Sequence, residues 1–315
     1  MIFRTEIETN PLKHRIVYGE GMLFLGSCFA EEVGELCRGM GFNVQLNPFG
    51  TLYNPRSVHD SLLRLQSGRP FTHDEVIEVG GGYYCTFSHN TDFWCSSEEA
   101  LINKVNTHLS EAHAHFTTAK WIIISLGTSW VFCDRDTKEV VSNCHKLPAS
   151  RFERFSLNTQ ATADLLSDLL RTFPDKQFIF TVSPLRYLKD GLHESQLSKA
   201  SLLLAVDQVC RMFPNAHYFP AYEILLDELR DYRFYKEDMV HPTDQAVRYI
   251  WEKFVSFAVS PSEIPAMQAV SELKQMLRHK PLFPESEAYR KFVSLREQKT
   301  EELKQRHPKI VLGNL

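Results

Sequence analysis

The sequence predicts an α/β protein built on an open, mostly parallel sheet in three layers. Three observations carry this expectation. Apolar runs, Leu23-Phe24-Leu25, Trp121-Ile122-Ile123-Ile124-Ser125-Leu126 and Phe178-Ile179-Phe180-Thr181-Val182, alternate with segments of helical period, the pattern of βαβ units. The second run is almost wholly apolar, as a strand must be when helices cover both its faces. Each run closes on a short polar motif, and in such sheets the functional crevice lies outside the carboxyl ends of the strands.

The first strand ends at Gly26-Ser27, and helix formers with Glu31 and Glu32 follow at once. Over 31–40, Val33, Leu36, Cys37 and Met40 recur at helical spacing, and Gly41 is a natural stop. A second strand over 42–46 runs into Asn47-Pro48-Phe49-Gly50-Thr51-Leu52-Tyr53-Asn54-Pro55, where two prolines and a glycine force a loop. A short helix covers 57–65. Alternation around Gly80-Gly81-Gly82 predicts an inserted hairpin over 76–87. The helix over 98–116 carries Leu101, Val105 and Leu109 on one face.

Gly127-Thr128-Ser129 follows the central strand, and an excursion over 130–154 contains Asn143-Cys144-His145-Lys146-Leu147-Pro148. After a helix over 161–173, the strand over 178–182 ends at Ser183-Pro184-Leu185-Arg186. A helix over 195–212, a short strand over 217–219 and a helix from 244 to about 254 complete the pattern, so four or five strands alternate with helices. Beyond residue 256, Pro261, Pro265, Pro281 and Pro284 punctuate charge-rich helical pieces, among them a polar helix over 286–306. Residues 1–255 are therefore read as the α/β domain and 256–315 as a helical extension packed on or beside it.

Lys and Arg number 35 against 39 Asp and Glu, a net charge of −4, and no basic cluster interleaves with aromatics. Nucleic acid is not an expected partner. The seven cysteines include no C-x-x-C pair, which argues for reduced thiols rather than a zinc ribbon or a disulfide framework. No run approaches the ~20 apolar residues that span a bilayer. Leu25-Gly26-Ser27-Cys28 has the look of a lipoprotein cleavage box, but its apolar lead over 22–25 is shorter than the roughly 7–15 residues of an export signal. A cytoplasmic protein without membrane partner or cofactor is expected. His108, His113 and His115 lack the i, i+4 spacing of a metal pair and are expected in solvent.

Ser27 at a strand-to-helix turn places a hydroxyl beside unpaired N–H groups that can stabilise an oxyanion; an ordinary helix cap is the plainer alternative. Asp238 and His241, three apart before a helix, suit a general base and the carboxylate that orients it. Cys28 is the rival nucleophile, also near the helix start. A phosphate site at this turn would want G-x-G-x-x-G or a P-loop lysine, and neither is present.

Gly26-Ser27-Cys28-Phe29-Ala30, Asn47-Pro48-Phe49-Gly50-Thr51, Leu126-Gly127-Thr128, Asn143-Cys144-His145-Lys146-Leu147-Pro148 and Asp238-Met239-Val240-His241-Pro242 together resemble the bacterial GSCFA domain family over about 21–255. That family in turn resembles the SGNH/GDSL hydrolases. The resemblance implies a flavodoxin-like sandwich and hydrolysis of ester bonds, with Ser27 as nucleophile, His241 as base and Asp238 as its partner. In those hydrolases the oxyanion is held by the serine N–H, a glycine N–H after the second strand and an asparagine amide after the third. Gly50 suits the second position. At the third, Gly127-Thr128-Ser129-Trp130 stands where Gly-x-Asn-Asp is expected, so a hydroxyl replaces the amide or Asn143 or Asn47 supplies it. His145 is read as lining the pocket or holding a structural turn, and Arg186 as binding a substrate anion or pairing with the next helix. A small-molecule or carbohydrate ester is the expected substrate. An acyltransferase using the same three residues, or a non-catalytic carbohydrate-binding or scaffold protein, are the alternatives.

Overall fold

The computed structural model describes residues 4–314; residues 1–3, the start of the polar N-terminal segment, and residue 315 lie outside the described residues. Five strands form the central sheet: β1 (Gly21–Gly26), β2 (Val44–Leu46), β3 (Ala119–Leu126), β4 (Gln177–Val182) and β5 (Ala216–Tyr218). Their order is 2-1-3-4-5 and every pairing is parallel. This is the flavodoxin-like order, whose topological switch point falls between β1 and β3.

The pleat sorts the strand residues onto two faces. Met22 and Phe24 of β1, Trp121 and Ile123 of β3 and Ile179 of β4 share one core. Leu23, Leu25, Ile122, Ile124, Phe178 and Phe180 share the other, as a period of two requires. Helices α1 (Cys28–Arg38) and α6 (Asp244–Ala258) cover the first face. Helices α2 (Pro55–Ser67), α3 (Glu98–Thr118), α4 (Thr159–Thr172) and α5 (Leu192–Met212) cover the second. The three-layer, mostly parallel architecture read from the sequence is the one observed.

The extension contributes α7 (Ile264–Arg278) and α8 (Glu287–Arg306). Val270 and Leu273 of α7, Leu303 of α8 and Ile310 join the same core as α1. The hairpin of Val76–Gly80 and Tyr83–Thr86 is present. The excursion, whose secondary structure the sequence left unassigned, holds an antiparallel sheet of Trp130–Asp134, Val140–Val141 and Phe152–Ser156. Its last strand, Phe-Glu-Arg-Phe-Ser, buries only Phe152, so it carries no apolar alternation to announce it. His113 and His115, expected in solvent, are half-buried and bonded to the carbonyls of Leu65 and Met22 at 2.6 and 3.0 Å. Among the described residues no helix is long and apolar enough to cross a membrane.

The turn after β1 depends on Gly26. Its φ is +128°, and a Cβ there would lie 2.1 Å from the Ser125 carbonyl oxygen of β3. Gly26→Ala is therefore expected to cost at least ~2 kcal/mol, from the positive φ and a backbone collision together. Denaturant titration against the parent protein measures it.

Candidate active site

Ser27 is the N-cap of α1, in extended backbone at φ −68° and ψ 172°, and its side chain makes no capping bond. Its N–H donates to the Ser125 carbonyl at 3.1 Å. Its hydroxyl lies 3.1 Å from the Ser125 hydroxyl. Ser27 is 1% exposed and Ser125 fully buried. Among the described residues no hydrogen bond joins Ser27 to His241. Serine hydroxyls are weak bases, so Ser125 can hold the Ser27 hydroxyl but does not activate it.

Asp238 and His241 sit on the loop that leads into α6. The Asp238 carboxylate takes His241 Nδ1 at 2.6 Å. It also accepts the backbone N–H groups of Val240 and His241 at 2.9 and 3.0 Å. These two backbone donors, with the imidazole, hold the Asp238 carboxyl down at about 2. An ionised Asp238 fixes the imidazole with Nδ1 toward the carboxylate and leaves Nε2 as the free nitrogen.

The loop is tied down on two sides. Arg186, just beyond β4, donates its backbone N–H to Val240 at 3.2 Å and lays its guanidinium 5.3 Å from the centre of the Tyr235 ring. Among the described residues it makes no ion pair with a carboxylate of the following helix. On the other side Lys236 lies 3.5 Å from Glu32 of α1 and 3.5 Å from Asp244 of α6. Burial raises the Glu32 carboxyl, while Lys236 and His241 draw it down. The Asp238–His241 couple thus stands beside the first turns of the helix that Ser27 caps.

Asn47 and Gly50 lie just past β2. The Asn47 side-chain oxygen accepts the Gly26 N–H at 3.0 Å. The Gly50 N–H is spent on the Asn47 carbonyl at 2.7 Å. Gly50 has φ +78°, and the Asn90 side chain fills the space a Cβ would need. The Gly127 and Thr128 N–H groups both bond the Tyr53 carbonyl, at 2.8 and 2.9 Å. The Thr128 hydroxyl turns to Ser198 of α5, and buried Ser129 bonds Ser156 and Ser198. The hydroxyls that could replace the missing amide are thus committed to holding α5 on the end of β3.

Asn143 and His145 are structural. Asn143 accepts the His145 N–H at 2.8 Å in a local turn. His145 is fully buried; its Nδ1 accepts from the Trp94 indole at 2.9 Å and its Nε2 donates to the Thr86 carbonyl at 2.9 Å. Both nitrogens are engaged, as the structural-turn alternative of the two readings of His145 requires. Burial lowers its pKa. Nearby His89, packed against Phe49, Phe71 and Phe93, is pushed down to about 3, chiefly by burial.

Four residues of this region were not anticipated. Ser125 is a lone hydroxyl inside an apolar run, the one signal that could have marked it. Tyr53 and Glu32 carried none. Buried Lys199 of α5, bonded to the Ser183 carbonyl at 2.7 Å, is pushed down to about 7 by burial.

These residues gather at the carboxyl ends of the strands, beside the β1/β3 switch point, and define a flavodoxin-like α/β protein with a serine and an Asp-His couple at its crevice. The chain belongs to the GSCFA family: the family model matches residues 21–254, and the model described as GSCFA domain protein, C-terminal domain, matches 270–314. No curated protein matches it.

His89, pushed down to about 3, stays neutral in the fold at pH 5 and above but takes up a proton once unfolded, and burial shifts His145 in the same direction. Stability is therefore full above the ordinary histidine value of 6.5 and falls as pH drops below it, by ~1.4 kcal/mol per pH unit for His89 while only the unfolded chain is protonated, with His145 adding to the fall in the same direction. Urea midpoints measured between about pH 7.5 and 5 should show this slope, and His145→Gln should flatten it.

Proposed function

We propose that the chain is a hydrolase of ester bonds that uses Ser27 as nucleophile, His241 as general base and Asp238 as its orienting carboxylate. The observation that carries this reading is the 2.6 Å Asp238–His241 couple, tied through Lys236 and Glu32 to the helix that Ser27 caps. Ser27 attacks with its hydroxyl turned from Ser125 toward His241. The Oγ–carbon bond forms as His241 Nε2 takes the hydroxyl proton. That proton then passes to the departing alcohol as the ester C–O bond breaks. Water, deprotonated by the same nitrogen, releases the acid and restores Ser27. If a sugar or other hydroxyl replaces water, the outcome is acyl transfer.

Two features favour Ser27 over Cys28. Burial raises the Cys28 thiol, opposite to the shift that makes a nucleophilic thiolate. Its sulfur is engaged by the Tyr53 hydroxyl at 3.7 Å. A small-molecule or carbohydrate ester is the substrate class we assign, in the reducing cytoplasm that seven free thiols suit. The buried, Ser125-bonded hydroxyl of Ser27 is the observation that favours the second reading, a binding or scaffold protein that keeps the fold.

Incubation with an activated short-chain ester and with a fluorophosphonate separates these readings. Labelling and turnover are expected in the parent chain and in Cys28→Ala, and lost in Ser27→Ala. His241→Ala should lower turnover by ~10²–10⁴. Labelling that survives Ser27→Ala and vanishes with Cys28→Ala overturns the serine mechanism; an inert parent protein supports the scaffold reading. With Asp238 held at about 2, its protonation should not limit kcat/KM above about pH 4, which a pH–rate profile checks.

A further inference from the structure

The donors expected for an oxyanion are nearly all spent. The N–H groups of Ser27, Gly50, Gly127 and Thr128 each have an intramolecular acceptor, the Thr128 hydroxyl is bonded to Ser198, and half-buried Asn143 turns its side-chain oxygen to the His145 N–H. Asn47 differs. It is 8% exposed, and its side-chain nitrogen is buried without any hydrogen-bond partner.

The direction of that amide is fixed. Gly26 presents a donor, so the oxygen of Asn47 must be the atom that meets its N–H at 3.0 Å, and Nδ2 is the atom left over. The backbone holds the residue equally firmly: its N–H bonds the Phe24 carbonyl at 2.9 Å and its carbonyl takes Gly50 N–H at 2.7 Å. Asn47 stands at φ +34°, a left-handed conformation that asparagine tolerates better than most residues. The outcome is a rigid, unmet amide donor attached to the residue just before Ser27. A buried donor left unmet calls for an explanation, and a preorganised donor beside a nucleophile is what a developing oxyanion requires.

We propose that Asn47 Nδ2 donates the hydrogen bond that stabilises the oxyanion formed when Ser27 attacks, taking the part expected of an asparagine after the third strand; the assignment rests on the serine hydrolase reading. As the Oγ–carbon bond forms, the carbonyl π pair moves onto oxygen and Nδ2–H meets it. When the C–O bond to the alcohol breaks, that pair returns and the donor is released. The N–H of Cys28, in the first turn of α1 and without an intrahelical acceptor, is available as the second donor. Ser27 and Asn47 are 1% and 8% exposed, so the donor acts in a site shielded from competing water.

Asn47→Asp tests this most directly, because it keeps an oxygen for the Gly26 N–H and removes the donor; Asn47→Ala removes both. With an activated ester, Asn47→Asp is expected to lower kcat by at least 10²-fold, the scale for loss of one oxyanion donor, with KM within about threefold of the parent. A boronic acid, which forms a tetrahedral adduct on serine, should lose affinity by a similar factor, measured where Asn47→Asp remains folded by circular dichroism. The assignment is overturned if Asn47→Asp keeps kcat within threefold of the parent while Ser27→Ala is inactive, or if Asn143→Ala carries the loss instead. Those results leave Ser27 as nucleophile. A parent chain that neither turns over nor labels at Ser27 overturns the hydrolase reading and this assignment together.

Discussion

The structure around the crevice depends on how closely the carboxyl ends of β1 and β3 approach. The contact leaves no room for a Cβ on Gly26. It also lets Ser125 take both the N–H and the hydroxyl of Ser27, each at 3.1 Å. One residue of the central strand therefore sets the backbone and the side chain of the cap of α1. The loop after β2 is locked into the same knot, through Asn47 on Gly26 and through the Leu52 N–H on the Gly26 carbonyl at 2.8 Å. Tyr53, next along, draws in the end of β3 by accepting from Gly127 and Thr128.

Charge plays a smaller part than packing. The Lys236 pairs with Glu32 and Asp244 are 3.5 Å long and partly exposed, and pairs of that kind contribute little on their own. Their role is geometric, since they join the loop of Asp238 and His241 to both helices beside it. The charge effect that bears on the couple is internal to the loop, where two backbone N–H groups and one imidazole converge on the Asp238 carboxylate.

Much of this was legible because it is local. The β3 run announced a strand buried on both faces, and Gly26-Ser27 announced the turn. Asp238 and His241 are three residues apart, so their contact needs no knowledge of the fold. What escaped were roles fixed by distant partners. The sequence left His145 open between pocket and structural turn, and Trp94 and Thr86, 51 and 59 residues away, claim its nitrogens. Thr128 is spoken for by Ser198, 70 residues on. Ser125 was hidden for another reason: hydrogen bonds at a strand end can absorb a hydroxyl that the apolar pattern around it conceals.

The helical extension bears on α1 as well. Val311 donates its N–H to the Gly41 carbonyl at 2.9 Å, and Lys274 of α7 reaches the Gly39 carbonyl at 3.0 Å. Ile310 presses against Gly41, at the end of α1 remote from Ser27. The segments matched by the two family models thus meet at one helix, with the serine at its first turn and the extension at its last. Such a helix is clamped like a beam at both supports. The extension therefore bears on the far end of the helix that Ser27 caps, through Gly39 and Gly41.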